Sequence, residues 1–156
     1  MTGASSLERV KESPFYKQFI NLIIEANNIR IIMHDETIMI VEDEGLIALQ
    51  MTEVLEKAGY KVFGPFYSGS QVINALEKSS IVDLILMDIT LVGTLDGIET
   101  ARRIHQRLSI PIIFITAHTS GKMQQKMQEI AHKGVIFKPF NSDELLELIG
   151  KTLGKK

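Results

Sequence analysis

The chain contains no cysteine, which excludes disulfide staples and thiolate metal sites and makes a reducing, cytoplasmic compartment the default expectation. It also lacks a charge excess. Its 17 Lys and Arg against 19 Asp and Glu leave a net charge of -2, so no global field points to nucleic acid, an anionic membrane or a polyanionic substrate. A long apolar run is missing too: the most apolar early stretch, Phe19 to Met33, is broken by Asn21, Glu25, Asn27, Asn28 and Arg30. That falls short of the roughly 20 apolar residues a spanning helix requires. Nor does the N-terminus show the charged, apolar and small-residue order of a secretory signal. No internal repeat or low-complexity linker interrupts the chain from Thr37 onward. What is present is 156 residues, 45% of them apolar, enough for one ordinary core and too few for a second full domain.

From Thr37 onward short apolar runs alternate with longer amphipathic stretches, the pattern of a parallel sheet with crossover helices. Thr37 to Val41 scarcely alternates and reads as a strand buried on both faces. A helix follows from about Glu44 to Ala58, with Leu46, Ile47, Leu49, Val54 and Leu55 at near-helical spacing and Gly59 where a C-terminal cap belongs. Lys61 to Phe63 predicts a weak second strand, stopped by Gly64-Pro65. Ser68 or Ser70 is set to cap a helix running through Leu76, and the most apolar strand, Leu84 to Met87, takes the sheet centre. A helix over 97–108, a strand over 111–115, a polar helix over 119–131, a strand over 135–137 and a helix over 142–153 complete five strands and five helices. Glu144 stands near the start of the last helix as a capping glutamate. Residues 1–35 lie outside this pattern as an N-terminal extension. Met1 to Ser13 is polar and expected to be mobile, while Pro14 to Ala26 forms an amphipathic helix with Phe15, Phe19, Leu22 and Ile23 on one side. The extension reads either as an appendage ahead of a natural start at Met33 or as a dimerising or docking helix.

In an open parallel sheet, ligands bind beyond the carboxyl ends of the strands. The residues that end or follow those runs are Glu42 and Asp43 for the first strand, Asp88 for the third, Thr116 for the fourth and Lys138-Pro139 for the fifth. Carboxylates crowded at one edge repel one another, by roughly 4 kcal/mol for a pair 4 Å apart at an effective dielectric near 20. A cation belongs among them. Oxygen ligands without histidine or cysteine favour magnesium, which keeps waters that a phosphoryl oxygen can displace. Lys138 adds a positive charge suited to a phosphate oxygen or a carboxylate, and the Thr116 hydroxyl can donate to a phosphoryl oxygen. Together these groups describe phosphoryl transfer onto an aspartate.

The strings VEDE at 41–44, LILMDI at 84–89, FITAH at 114–118 and FKPF at 137–140 resemble the receiver domains of two-component response regulators. They occur in the family's order, with 45 residues from Asp43 to Asp88, 28 more to Thr116 and 22 more to Lys138, and the resemblance covers residues 36–156. It implies an α/β fold: a doubly wound, five-stranded parallel sheet of flavodoxin-like order 2-1-3-4-5 with helices on both faces. It makes Asp88 the phosphoacceptor, Thr116 the switch hydroxyl and Lys138 the family's lysine, with a cis bond to Pro139. Glu42 and Asp43 become the acidic pair that holds Mg2+ with Asp88 and a backbone carbonyl of Ile89 or Thr90, Thr90 being the one assigned. Asp96-Gly97-Ile98 resembles the loop that opens the third helix. The implied partners are a sensor histidine kinase or phosphotransfer protein and a downstream protein target. A homodimer through the face built by the fourth helix, fifth strand and fifth helix is also expected, with neither nucleic acid nor membrane a direct partner. The chain is then a cytoplasmic signalling phosphoacceptor rather than an enzyme, and with no DNA-binding or catalytic module after Lys156 a stand-alone receiver is expected.

Some positions depart from the family. Val135 stands three residues before Lys138, where receivers usually carry an aromatic or other switch side chain, which puts threonine-aromatic coupling in question. Glu42 replaces the more frequent aspartate. Thr90 and His118, two residues after Asp88 and Thr116, lie where receivers tune loss of the phosphoryl group. Three other readings stay open. A magnesium-dependent phosphohydrolase lacks a cap insertion and has only the loop-like Asp96 as a second acid. A phosphate-independent pseudo-receiver is mildly favoured by Val135, and a flavin module of similar topology lacks a Ser/Thr/Gly-rich phosphate loop. Asp83 reads as solvated or capping, His34, His105 and His132 as solvated, and Met123 and Met127 as packing residues.

Overall fold

The computed structural model describes residues 10–26, 34–78, 81–117 and 120–155, with the backbone alone at 21 and 24–26. It divides into two units, Met1–Ile32 and Met33–Lys156. In the first, helix α1 (Pro14–Ala26) forms as its periodicity predicts, and the Ser13 hydroxyl accepts from the Tyr16 N–H at 3.1 Å. Phe15, Phe19 and Leu22 are exposed along it. Among the described residues no helix is long and apolar enough to cross a membrane.

The second unit alternates β1 (Thr37–Val41), α2 (Gly45–Lys57), β2 (Lys61–Phe66), α3 (Gly69–Lys78), β3 (Leu84–Asp88), α4 (Gly97–His105), β4 (Ile112–Thr116), α5 (Gly121–Gln128), β5 (Gly134–Phe137) and α6 (Ser142–Thr152). Every strand pair is parallel, in the order β2-β1-β3-β4-β5. Central β3 is buried along its whole length, and its side chains alternate between two cores. Ile85 and Met87 join Val72 of α3, Ile98, Ala101 and Ile104 of α4, and Met127 of α5. Leu84 and Leu86 join Met51 and Leu55 of α2 and Leu145 and Ile149 of α6. Burying each large aliphatic side chain contributes roughly 1.5–3 kcal/mol. A one-residue slip would exchange the two faces, so the apolar pattern fixes the register.

β2 runs on to Phe66 rather than stopping at Gly64-Pro65. It is an edge strand, where a proline need not supply a ladder donor. Gly64 takes φ +113°, and a Cβ there would meet the Ile40 carbonyl oxygen at 2.8 Å. The register shifts between Met39 and Val41, after which Val41 pairs with Phe66. The Phe66 carbonyl then accepts from the Glu42 N–H at 2.9 Å, so this irregular strand end holds the backbone at the first acidic residue. The Gly64–Pro65 and Lys138–Pro139 bonds are both cis, the second as the resemblance implies.

Helix boundaries differ more than strands do. α4 ends at His105 and α5 covers only Gly121–Gln128. Met127 is the one buried residue of α5, so little apolar surface supports further turns. Asp96 caps α4, its Oδ1 accepting from the Glu99 N–H at 2.7 Å. Asn141 caps α6 through an acceptor bond from the Asp143 N–H at 2.7 Å, and Glu144 stands in the first turn. Ser68 stands before α3 and accepts from the Gln71 N–H at 3.4 Å. Asp83 is exposed but not idle: its Oδ2 accepts from the Thr37 N–H at 2.8 Å and fixes the start of β1. The three expected surface histidines are partly buried instead. His34 stacks on Tyr60 with ring centres 4.1 Å apart, His105 bonds the Ile110 carbonyl at 3.1 Å, and His132 meets Phe114 edge-on at 5.6 Å. Met123 and Met127 pack against the core as expected. His118 and the segment before Val10 lie outside the described residues.

Candidate functional site

The sheet order reverses at β1, whose neighbours are β2 on one side and β3 on the other. A crevice opens at such a point beyond the strand ends. Val41 pairs with Met87 in register, so Glu42 and Asp88 leave β1 and β3 side by side. Lys138 follows β5, and its N–H donates to the Thr116 carbonyl at 2.9 Å. Its long side chain carries the ammonium to the carboxylates. Lys138 Nζ lies 2.8 Å from Asp88 Oδ2, 2.7 Å from Glu42 Oε2 and 3.2 Å from Glu44 Oε1. Its N–H bonds are directed at Asp88 and Glu44. Glu42 Oε2 is therefore close to a positive charge yet receives no aligned hydrogen bond. The other oxygens are held by the backbone: Asp88 Oδ1 accepts from the Thr90 N–H at 3.0 Å, Glu42 Oε1 from the Glu44 N–H at 3.0 Å, and Asp43 Oδ2 from the Val92 N–H at 3.1 Å.

Negative charge dominates this cluster. Glu42, Asp43 and Asp88 against Lys138 leave a formal -2 when all are ionised. Burial pushes the Glu42 carboxyl up to about 7, with the Asp88 charge adding to it and the adjacent Lys138 ammonium and the Glu44 N–H opposing. Burial works against the Lys138 ammonium, but the Asp88 and Glu42 carboxylates beside it outweigh that cost and hold its pKa above the usual lysine range. One oxygen from each of Glu42, Asp43 and Asp88 lies within 4.8 Å of the others. An oxygen-only donor set and excess negative charge fit a hard divalent cation such as Mg2+.

The cleft beside this cluster measures about 250 Å³ and is lined by Asp43, Glu44, Asp88, Thr90, Ala117 and Lys138. Of the residues singled out in the sequence, Asp43, Asp88, Thr90 and Lys138 thus share one cleft, and Glu42 is wholly buried against its lysine. Thr116 is also wholly buried, and Ala117 rather than Thr116 reaches the cleft wall. Val135 packs against the core, while Phe137, paired in register with Thr116, is 44% exposed. Larger hollows of about 420 and 540 Å³ open elsewhere, between α3 and α4 and near the start of β4, and contain none of these residues. Glu44 is the site residue that sequence reasoning passed over. The signal was a third carboxylate directly after Glu42 and Asp43, at a helix start that favours Ser, Thr, Asp or Asn.

The family model for the response regulator receiver domain matches residues 38–150. Sporulation initiation phosphotransferase F of Bacillus subtilis is 33% identical over 130 residues, covering 80% of this chain and 98% of that protein. Chemotaxis protein CheY of the same species is 32% identical over 117 residues, 74% of this chain and 96% of its own length. Transcriptional regulatory protein PdtaR of Mycobacterium tuberculosis is 28% identical over 72% of this chain, which spans only 54% of that longer relative. The solved signal receiver domain of a modulated diguanylate cyclase from Desulfovibrio desulfuricans is 34% identical, with a TM-score of 0.71 over 76% of this chain and 93% of that one. A CheY-like receiver domain protein from Methanospirillum hungatei is 27% identical, with a TM-score of 0.70 over 76% and 94%.

Proposed function

Because the chain belongs to the response-regulator receiver family, a signalling module of two-component systems, we propose that it is a phosphoacceptor switched by phosphorylation of Asp88. The donor is a sensor histidine kinase or phosphotransfer protein. The observation that carries this reading is the placement of Asp88: it is 3% exposed, both its oxygens are hydrogen-bonded, and it stands where Glu42, Asp43 and Lys138 converge. An Asp88 oxygen attacks the phosphorus, the bond from phosphorus to the donor's imidazole nitrogen breaks, and its electron pair returns to the ring as the acyl phosphate forms. The Thr90 N–H fixes the carboxylate plane, and Lys138 supplies positive charge to the phosphoryl oxygens. Glu42, Asp43, Asp88 and the Thr90 carbonyl are the groups that would hold Mg2+, which when bound neutralises charge on the transferring group. The Thr116 hydroxyl, at the end of β4, responds to the new phosphoryl group and biases the segment leading to α5 toward a pre-existing active arrangement. The face of α5, β5 and α6 then binds a downstream protein or a second copy.

Intact-mass spectrometry after incubation with acetyl phosphate tests this. A gain of one phosphoryl group that requires Mg2+ and disappears in Asp88→Asn is the expected result. No gain under any condition would favour the phosphate-independent pseudo-receiver, the reading that Val135 supports. Steady hydrolysis of small phosphate esters would instead mark a phosphohydrolase.

A further inference from the structure

Glu44 occupies the N-cap of α2, yet its side chain makes no capping bond. Its Oε1 turns instead to the Lys138 ammonium at 3.2 Å, and its carboxylate stands at the cleft. The three carboxylates around that ammonium differ in their freedom. The side chains of Glu42 and Asp88 are 0% and 4% exposed, while that of Glu44 is 62% exposed. An ammonium has three N–H donors, and this one already lies within 3.2 Å of three carboxylates. A phosphoryl group arriving on Asp88 brings new acceptors and more negative charge, so Lys138 must loosen an existing contact to meet it. Glu42 is encased and Asp88 is the acceptor itself. Glu44 alone of the three has water to turn into.

We propose that Glu44 is a positioning residue acting through Lys138. It holds the ammonium in the unphosphorylated state and, as an added negative charge at the mouth of the cleft, slows phosphoryl uptake by Asp88. This rests on the phosphoacceptor reading of the site. The test follows phosphoryl uptake by intact mass in the wild type, Glu44→Gln and Glu44→Asp, with acetyl phosphate and Mg2+, at low and high ionic strength. At low salt Glu44→Gln is expected to react roughly threefold to tenfold faster than the wild type, the effect of one unit charge removed from a partly solvated cleft. Added salt narrows that gap by screening, and Glu44→Asp, which keeps the charge, stays near the wild-type rate. A role confined to α2 stability would shift a thermal midpoint without giving a salt-dependent rate difference. Equal rates for the wild type and Glu44→Gln, a gap indifferent to salt, or Glu44→Asp matching Glu44→Gln would each overturn the proposal. If the wild type gains no phosphoryl group at all, the phosphoacceptor reading itself fails and takes this inference with it.

Discussion

Glu42 gives the site a distinct pH signature. Its carboxyl is raised from 4.5 to about 7, first by burial and then by the Asp88 charge, so the folded chain retains a proton that the unfolded chain releases. Stability from this group is fully present below pH 4.5 and is lost as pH rises to about 7. Glu42→Gln keeps the shape and removes the titration. It should flatten that decline and leave the variant more stable than the wild type at alkaline pH, on the order of 3 kcal/mol, read from urea midpoints on either side of the window. Mg2+ works in the opposite sense because it binds the ionised carboxylates, so its stabilisation of the wild type should grow as pH rises through the same window. A magnesium shift of equal size at both pH values would mean that the ion is not held by Glu42. The carboxylates were legible in the sequence because each ends or directly follows an apolar run. Glu44 was not, because what gives it meaning is a lysine 94 residues away.

Helix α4 and the end of β3 meet backbone to backbone. The Gly97 N–H donates to the Ile89 carbonyl at 2.8 Å, and a Cβ at Gly97 would collide with the Asp88 carbonyl and crowd Ile89 Cα at 2.8 Å. Neither obstacle is a side chain that can rotate away. Gly97→Ala should therefore force β3 and α4 apart, at a cost of roughly 1–3 kcal/mol, and slow phosphoryl uptake at the displaced Asp88. Urea unfolding and intact mass on the same preparation check both effects, and an unchanged midpoint would show that the loop from Ile89 to Asp96 absorbs the methyl group. The strands were readable because buried parallel strands are nearly continuous apolar runs. The ends of α4 and α5 were not, because amphipathic spacing continues past the point where tertiary burial stops. β2 runs past its expected end for a related reason: Pro65 argues against a strand only where a ladder donor is needed, and the sequence does not say which strand lies at the edge.

The receiver unit fastens its own two ends. Lys155, just past α6, donates to Glu36 Oε2 at 2.7 Å and to His34 Nδ1 at 2.5 Å, both ahead of β1. Tyr60 completes the cluster, stacked on His34 and 5.8 Å from the Lys155 nitrogen. The alternation of apolar runs announced the doubly wound fold, but this polar closure spans 119 residues and has no periodic signature. The expected working boundary of the unit therefore lies just before His34. A chain beginning at Met33 keeps both cores and the clasp, so it should unfold at the same urea concentration as the full chain and gain a phosphoryl group at the same rate. A chain beginning at Thr37 keeps the cores but strips Lys155 of two acceptors and bares one face of the largely buried Tyr60 ring. Its expected loss is roughly 1–3 kcal/mol, with amide exchange accelerated chiefly in the last turn of α6. If the cut at Met33 already costs as much as the cut at Thr37, the stabilisation comes from residues before Met33, and the clasp is not what closes the unit.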